Sequence, residues 1–154
     1  MESIKQVERR GVSFLVYQHE TPSLPNFWDW DEWESHTYEV LETFLDKDHS
    51  YIDAGVHLGQ TVLYGAHRAK SVYAIEPDSE ALRITNKNIE LNGIPNIKMI
   101  PKALGNDSES IKLGCPSTCP DLGSSRTAAF FADEANSFEA ESISLLSLIE
   151  SEKI

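Results

Sequence analysis

Two carboxylates and two glycines are the groups in this sequence whose types and spacing are best suited to hold a ligand. In Asp53-Ala-Gly-Val-His-Leu-Gly59 the glycines allow a tight backbone turn and a close approach to a bound molecule. A helix opening near Gly59 presents unpaired N–H groups, which suit a carboxylate or a phosphate. Asp53, at the tip of the preceding strand, can accept hydrogen bonds from an ammonium group, directly or through water. An ordinary strand-to-helix turn with a capping aspartate would use the same residue types. Glu76 narrows the choice. It falls 21 positions after Gly55, at the tip of a second strand, where a carboxylate can take both hydroxyls of a ribose.

Glycine spacing then separates nucleoside cofactors. A dinucleotide fingerprint needs Gly-x-Gly-x-x-Gly so that the backbone can lie against a pyrophosphate. Here the loop is Gly-x-x-x-Gly, and His57 stands where the middle glycine would be. A methionine-type amine and carboxylate, smaller than a pyrophosphate, fit such a loop better, so S-adenosylmethionine is the expected cofactor. A nicotinamide-dependent oxidoreductase is the weaker alternative.

The elements that must position these groups are legible as an alternation. Tyr51-Ile-Asp-Ala-Gly is a short buried strand, and Thr61 to Lys70 is a helix with its bases in the last turn. Ser71-Val-Tyr-Ala-Ile-Glu is a second strand. A helix follows with Asp78 as N-cap, Glu80 in its first turn, Leu82, Thr85 and Ile89 inward, and Asn92-Gly93-Ile-Pro as its stop. Asn96-Ile-Lys-Met-Ile-Pro is a third strand. The pattern β-α-β-α-β implies an α/β fold with a parallel sheet and right-handed crossovers.

Upstream, runs around Ile4 to Val7 and Val12 to Tyr17 flank Arg9-Arg10-Gly11 and predict a hairpin. A linker from Thr21 to Glu34 carries two prolines and three tryptophans interleaved with acids. It is read as packing on the sheet, with a lid over a cationic ligand as the sharper alternative. Residues 33, 37, 40, 41, 44 and 45 give the spacing of one buried helix face, ending by Asp46. Downstream, Ser110-Ile-Lys-Leu and the run from Phe138 to Leu145 predict a hairpin region around a long loop, and Leu145-Leu-Ser-Leu-Ile-Glu a closing helix.

Composition bounds the partners. The length of 154 residues suits a single domain, here divided into a hairpin and aromatic linker over 1–32, a cofactor-binding core over 33–105, and a hairpin insertion with terminal helix over 106–154. Acids outnumber bases 25 to 13, for a net charge of −12, and a protein that grips a phosphate backbone must neutralise it with clustered Lys and Arg. Nucleic acid is therefore excluded as an expected partner. The absence of an apolar span or signal-like start implies no membrane partner and a cytoplasmic location. Cys115 and Cys119 lack two further ligands for zinc, so no metal is expected; they are read as loop thiols, with a redox pair as the alternative.

Tyr51-Ile-Asp-Ala-Gly-Val-His-Leu-Gly, Val72-Tyr-Ala-Ile-Glu-Pro-Asp, Asn88-Ile-Glu-Leu-Asn-Gly and Ala103-Leu-Gly together resemble the FkbM-type class I methyltransferases over about residues 38 to 150. The resemblance implies a Rossmann-like class I methyltransferase fold. It also implies that Asp53, Gly55 and Gly59 hold the methionine end of S-adenosylmethionine, Glu76 the ribose, and Pro77 and Asp78 the adenine side, with His57 in the same loop. It further implies O-methyl transfer to a small molecule or a glycan. The sequence departs from the family at His57, where asparagine or tryptophan is common, and at Leu146, where aspartate is usual.

The family continues past the closing helix with a Lys-x-Asp-x-Glu-Gly strand and further strands, so the chain is expected to be the N-terminal, truncated portion of such a domain. Methyl transfer needs an acceptor held in line with the sulfonium and often a base for its proton. No catalytic residue is assigned; His57 and His36 are the nearby bases, and each is read as an ordinary loop or surface histidine. The rival reading is a non-catalytic remnant, or a module that needs a partner to supply strands, with an unpaired sheet edge that favours homo-oligomers.

Overall fold

The structure, a computed structural model, describes residues 3–18, 34–107, 110–114, 128–129, 132 and 137–154. The tryptophan-rich linker and both cysteines lie outside the described residues.

Strands β1 (Ser3–Arg9) and β2 (Val12–Gln18) form the expected antiparallel hairpin, in register from Ser3 opposite Gln18 to Arg9 opposite Val12. Its two turn residues, Arg10 at φ 44° and Gly11 at φ 75°, are both left-handed, the backbone that matches the twist of the flanking strands. Val7, Val12, Phe14 and Val16 point inward and share a core with Tyr38, Leu41, Leu63, Tyr64 and Ile84.

Helix α1 (Ser35–Phe44) corrects the predicted face. Tyr38 and Leu41 are its buried residues, Leu45 packs against the same core, and Val40 and Phe44 are 56% and 75% exposed. The face 38, 41, 45 is as regular at 3.6 residues per turn as the one read from apolar residues alone, and the tyrosine anchors it. Tyr38 meets Tyr64 edge-on with ring centroids 5.1 Å apart.

The centre is the parallel unit. Strands β3 (Ser50–Ala54), β4 (Ser71–Ile75) and β5 (Ile97–Ile100) lie in that order, all parallel, with α2 (Gln60–Arg68) and α3 (Ser79–Asn92) as crossovers. The fold is α/β with a Rossmann-like parallel sheet. Val72 and Ala74 face α2 and pack with Val56, Val62, Ala66 and Ala69. Ile75 and Ile100 face the other way, onto Leu148. Gly65 lets α2 lie directly on β3, since a Cβ there would stand 2.7 Å from the Tyr51 ring.

The helix ends explain the loop lengths. Asp78 caps α3 by accepting from the N–H groups of Glu80 and Ala81 at 2.8 and 3.0 Å, and Gly93 closes it at φ 60°. The C-terminal carbonyls of α2 are met by two side chains: Asn96 Nδ2 donates to Ala66 O at 2.9 Å, and Lys47 Nζ to Ala69 O at 3.1 Å.

Beyond β5, strands β6 (Ala103–Leu104), β7 (Ser110–Gly114) and β8 (Ser137–Ile143) form a second sheet in the order β6-β8-β7, followed by helix α4 (Leu145–Glu152). The expected pairing of β7 with β8 is antiparallel; β6, too short to carry a periodic signal, joins β8 in parallel. Among the described residues no helix is long and apolar enough to cross a membrane.

Candidate functional site

The tips of β3 and β4 meet at one end of the sheet, and the loop from Gly55 to Gly59 crosses between them. Gly55 N–H donates to Ile75 O at 2.8 Å, which fixes the start of the loop against β4. The loop then zigzags: Gly55, His57 and Gly59 are left-handed at φ 79°, 51° and 89°, while Val56 and Leu58 between them are buried. Glycine adopts this backbone without cost and histidine at a modest one. Ala54 and Gly55 are exposed, so the strand tip is open to solvent.

Glu76 is buried at 5% exposure, and both carboxylate oxygens are in use. Oε2 accepts from the His57 N–H at 2.8 Å and Oε1 from the Asp78 N–H at 2.9 Å. One carboxylate thus joins the loop at 55–59 to the start of α3. Burial raises its pKa above the usual carboxylate range, against the two N–H donors, which lower it. Each oxygen keeps a second lone pair, the minimum for taking a diol.

Asp53 sits half-buried on the α2 side of β3, where Thr61 Oγ1 donates to its Oδ2 at 2.5 Å. Burial raises its pKa, and the hydroxyls of Thr61 and Tyr51 pull it back. Helix α2 starts at Gly59, which has no side chain to cap its first turn, the place where a helix favours an anion. Pro77 is half-buried between Glu76 and Asp78.

The structure therefore brings Asp53, Gly55, His57, Gly59 and Glu76 to one place. Asp78, 2% exposed and engaged as the α3 cap, acts there through the backbone it holds. His36 does not join them: its side chain is 94% exposed on α1, 3.4 Å from Glu39.

Four supporting residues escaped the sequence reading of the site. Thr61 and Tyr51 hold Asp53. Thr85 Oγ1 donates to His57 O at 2.5 Å, and Asn88 Nδ2 to Leu58 O at 3.2 Å, so α3 grips the loop by two successive carbonyls. Asn88 Oδ1 also accepts the Tyr17 N–H at 2.9 Å, and Asn92 exchanges two bonds of 2.7 Å with the Leu15 backbone, which fastens the hairpin to α3. The available signal was polarity on an inward helix face: Thr85, Asn88 and Asn92 recur at three and four residues where periodicity calls for apolar side chains.

No family model matches the chain. Over 54 residues it is 41% identical to an uncharacterised RNA methyltransferase of Oceanobacillus iheyensis, covering 35% of this chain and 12% of that protein. Over 61 residues it is 37% identical to an uncharacterised protein of Methanocaldococcus jannaschii, covering 40% of this chain and 24% of the other. The alignments thus span between about an eighth and a quarter of these relatives. Among solved structures, an rRNA methylase of Streptococcus thermophilus superposes at a TM-score of 0.43 with 26% identity, over 45% of this chain and 42% of that one. A Streptococcus mutans protein in complex with SAH gives 0.43 and 31%, over 44% and 39%.

The RNA methyltransferase relative overturns the exclusion of nucleic acid drawn from net charge. Net charge is a sum and does not report where Lys and Arg cluster on the surface. The comparisons support a methyltransferase in general and do not confirm a small-molecule or glycan acceptor.

Proposed function

We propose that this chain carries the S-adenosylmethionine-binding part of a class I methyltransferase. The observation that bears most of the weight is the joint geometry of Glu76 and the loop it holds: a buried carboxylate at the tip of β4, fixed by two N–H donors, beside an exposed Gly55 and a helix start without a side-chain cap. These groups suit a ribose diol at Glu76 and an amino-acid carboxylate at the start of α2, with Asp53 on the side of the ammonium. Bound there, S-adenosylmethionine would supply an electrophilic methyl group on a sulfonium; the residues described bind and orient it.

A nicotinamide dinucleotide fits less well, because the position that would have to lie against its pyrophosphate is His57. For the acceptor, the 41% identical relative favours RNA, whereas the motif run at 51–59, 72–78, 88–93 and 103–105 favours the FkbM type. We take the class I assignment with an RNA acceptor as the better supported.

Isothermal titration of the chain with S-adenosylmethionine, S-adenosylhomocysteine and NAD tests this reading. The first two are expected to bind and NAD not to. Glu76→Ala removes charge-assisted bonds and should weaken binding about 10- to 100-fold, and Gly55→Val should do at least as much. A folded chain that binds neither sulfur nucleoside would refute the assignment.

A further inference from the structure

Thr85 is fully buried on α3, and its hydroxyl donates to the His57 carbonyl at 2.5 Å. The described residues contain no cis peptide bond, so the carbonyl of His57 and the N–H of Leu58 point in opposite directions from one planar unit. Holding the carbonyl against α3 therefore turns the Leu58 N–H away from α3. His57 is the one non-glycine of the three left-handed residues in the loop, so its conformation is the one that most needs an external hold.

We propose that Thr85 is a positioning residue for the ligand's carboxylate: its hydroxyl sets the peptide between His57 and Leu58 so that the Leu58 N–H, with the first turn of α2, receives that carboxylate. The inference rests on the cofactor reading above and adds a residue that touches no ligand. Three features support it. Asn88 fixes the next carbonyl, that of Leu58, to the same helix, so the whole peptide segment is oriented from α3. The Gly59 N–H, on the far side of that second peptide, is turned back onto Val56 O at 2.8 Å. A Cβ on Gly59 would stand 3.0 Å from Thr85 Cγ2, so Thr85 lies directly against the turn.

The test compares two ligands on one set of variants. S-adenosylhomocysteine carries the amino-acid carboxylate; 5′-methylthioadenosine lacks it and keeps the nucleoside. In Thr85→Val, which keeps the shape and removes the donor, affinity for S-adenosylhomocysteine should fall about tenfold while affinity for 5′-methylthioadenosine stays within about twofold. Thr85→Ser, which keeps the hydroxyl, should restore the wild-type ratio. Should Thr85→Val fail to fold, Thr85→Cys, of similar size with a weak donor, is expected to show an intermediate ratio. An unchanged ratio in the variants that lack the hydroxyl, or equal losses for both ligands, overturns the role of Thr85. Failure of the wild-type chain to bind either ligand overturns the cofactor reading instead, so the two failures are distinguishable.

Discussion

Replacing Gly59 by alanine isolates the contact on which the loop between β3 and α2 turns. At φ 89° any L-residue carries a backbone penalty of about 1–2 kcal/mol, offset by about 0.4–1 kcal/mol because alanine has less freedom to lose on folding. The same two terms apply to Gly55 at φ 79°, where an added Cβ meets nothing within 4 Å. At Gly59 the Cβ also meets Thr85 Cγ2 at 3.0 Å and Thr85 Oγ1 at 3.6 Å, and Thr85 is fully buried and tied to His57, so it cannot swing aside. Overpacking of this kind costs about 1–3 kcal/mol. Gly59→Ala should therefore be less stable than Gly55→Ala by about 1–3 kcal/mol, or about 2–12 °C in Tm for a chain of this size. Thermal melts followed by circular dichroism measure the difference. The attribution to Cγ2 is checked by adding Thr85→Ser, which removes that methyl: in the Gly59→Ala background it should recover about 1 kcal/mol relative to its effect in the wild type. Equal melting temperatures for the two alanine variants, or no coupling with Thr85→Ser, would refute the reasoning.

Other expectations follow from the same structure. The pKa values of Glu76 and Asp53 are raised in the folded chain, so the folded state holds more protons than the unfolded one just above the ordinary carboxylate range; their contribution to stability falls as pH rises through that window. Urea midpoints taken between about pH 4 and 7 should show this decline, and Glu76→Gln should flatten it; a steeper slope in the variant would contradict the assignment. Asn92→Ala removes two bonds to Leu15 and should cost about 1–3 kcal/mol, with faster amide hydrogen exchange in β1 and β2 than in β3 to β5. Asn96→Ala withdraws the donor that meets the end of α2 and should lower stability by about 1 kcal/mol, measured by chemical denaturation; no change would mean that Lys47 suffices.

The parallel unit was legible because its signals are local. Glycine after β3, Asp78 and Gly93 at the ends of α3, and short apolar runs place three strands and two helices to within a few residues. The face of α1 was misread because the pattern ran through Thr37 and passed over Tyr38, whose buried ring decides the packing. β6 is two residues long, and its pairing with β8 depends on a contact nearly forty positions away. At the site, Gly55, Gly59 and Glu76 were visible as residue types at a spacing. The residues that hold Asp53 and the loop, Thr61, Thr85 and Asn88, were not: polarity on the inward face of α3 marks Thr85 and Asn88, but the distant group each one bonds is not written in the local sequence. The partner was misjudged for a different reason: net charge is a sum, and recognition depends on placement.

The side chain of Asn88 spans two parts of the protein with one rigid amide, taking the Tyr17 N–H of the hairpin on its oxygen and offering its nitrogen to Leu58. An amide plane cannot lengthen, so any displacement of β2 relative to α3 either breaks one of these bonds or carries the loop at 55–59 with it. The hairpin, which lies more than thirty positions ahead of the loop and holds none of the residues gathered there, thereby becomes a gauge for the loop's position. If the loop holds S-adenosylmethionine as proposed, substitutions along the β2 edge should be felt as changes in its affinity before they are felt as loss of the fold.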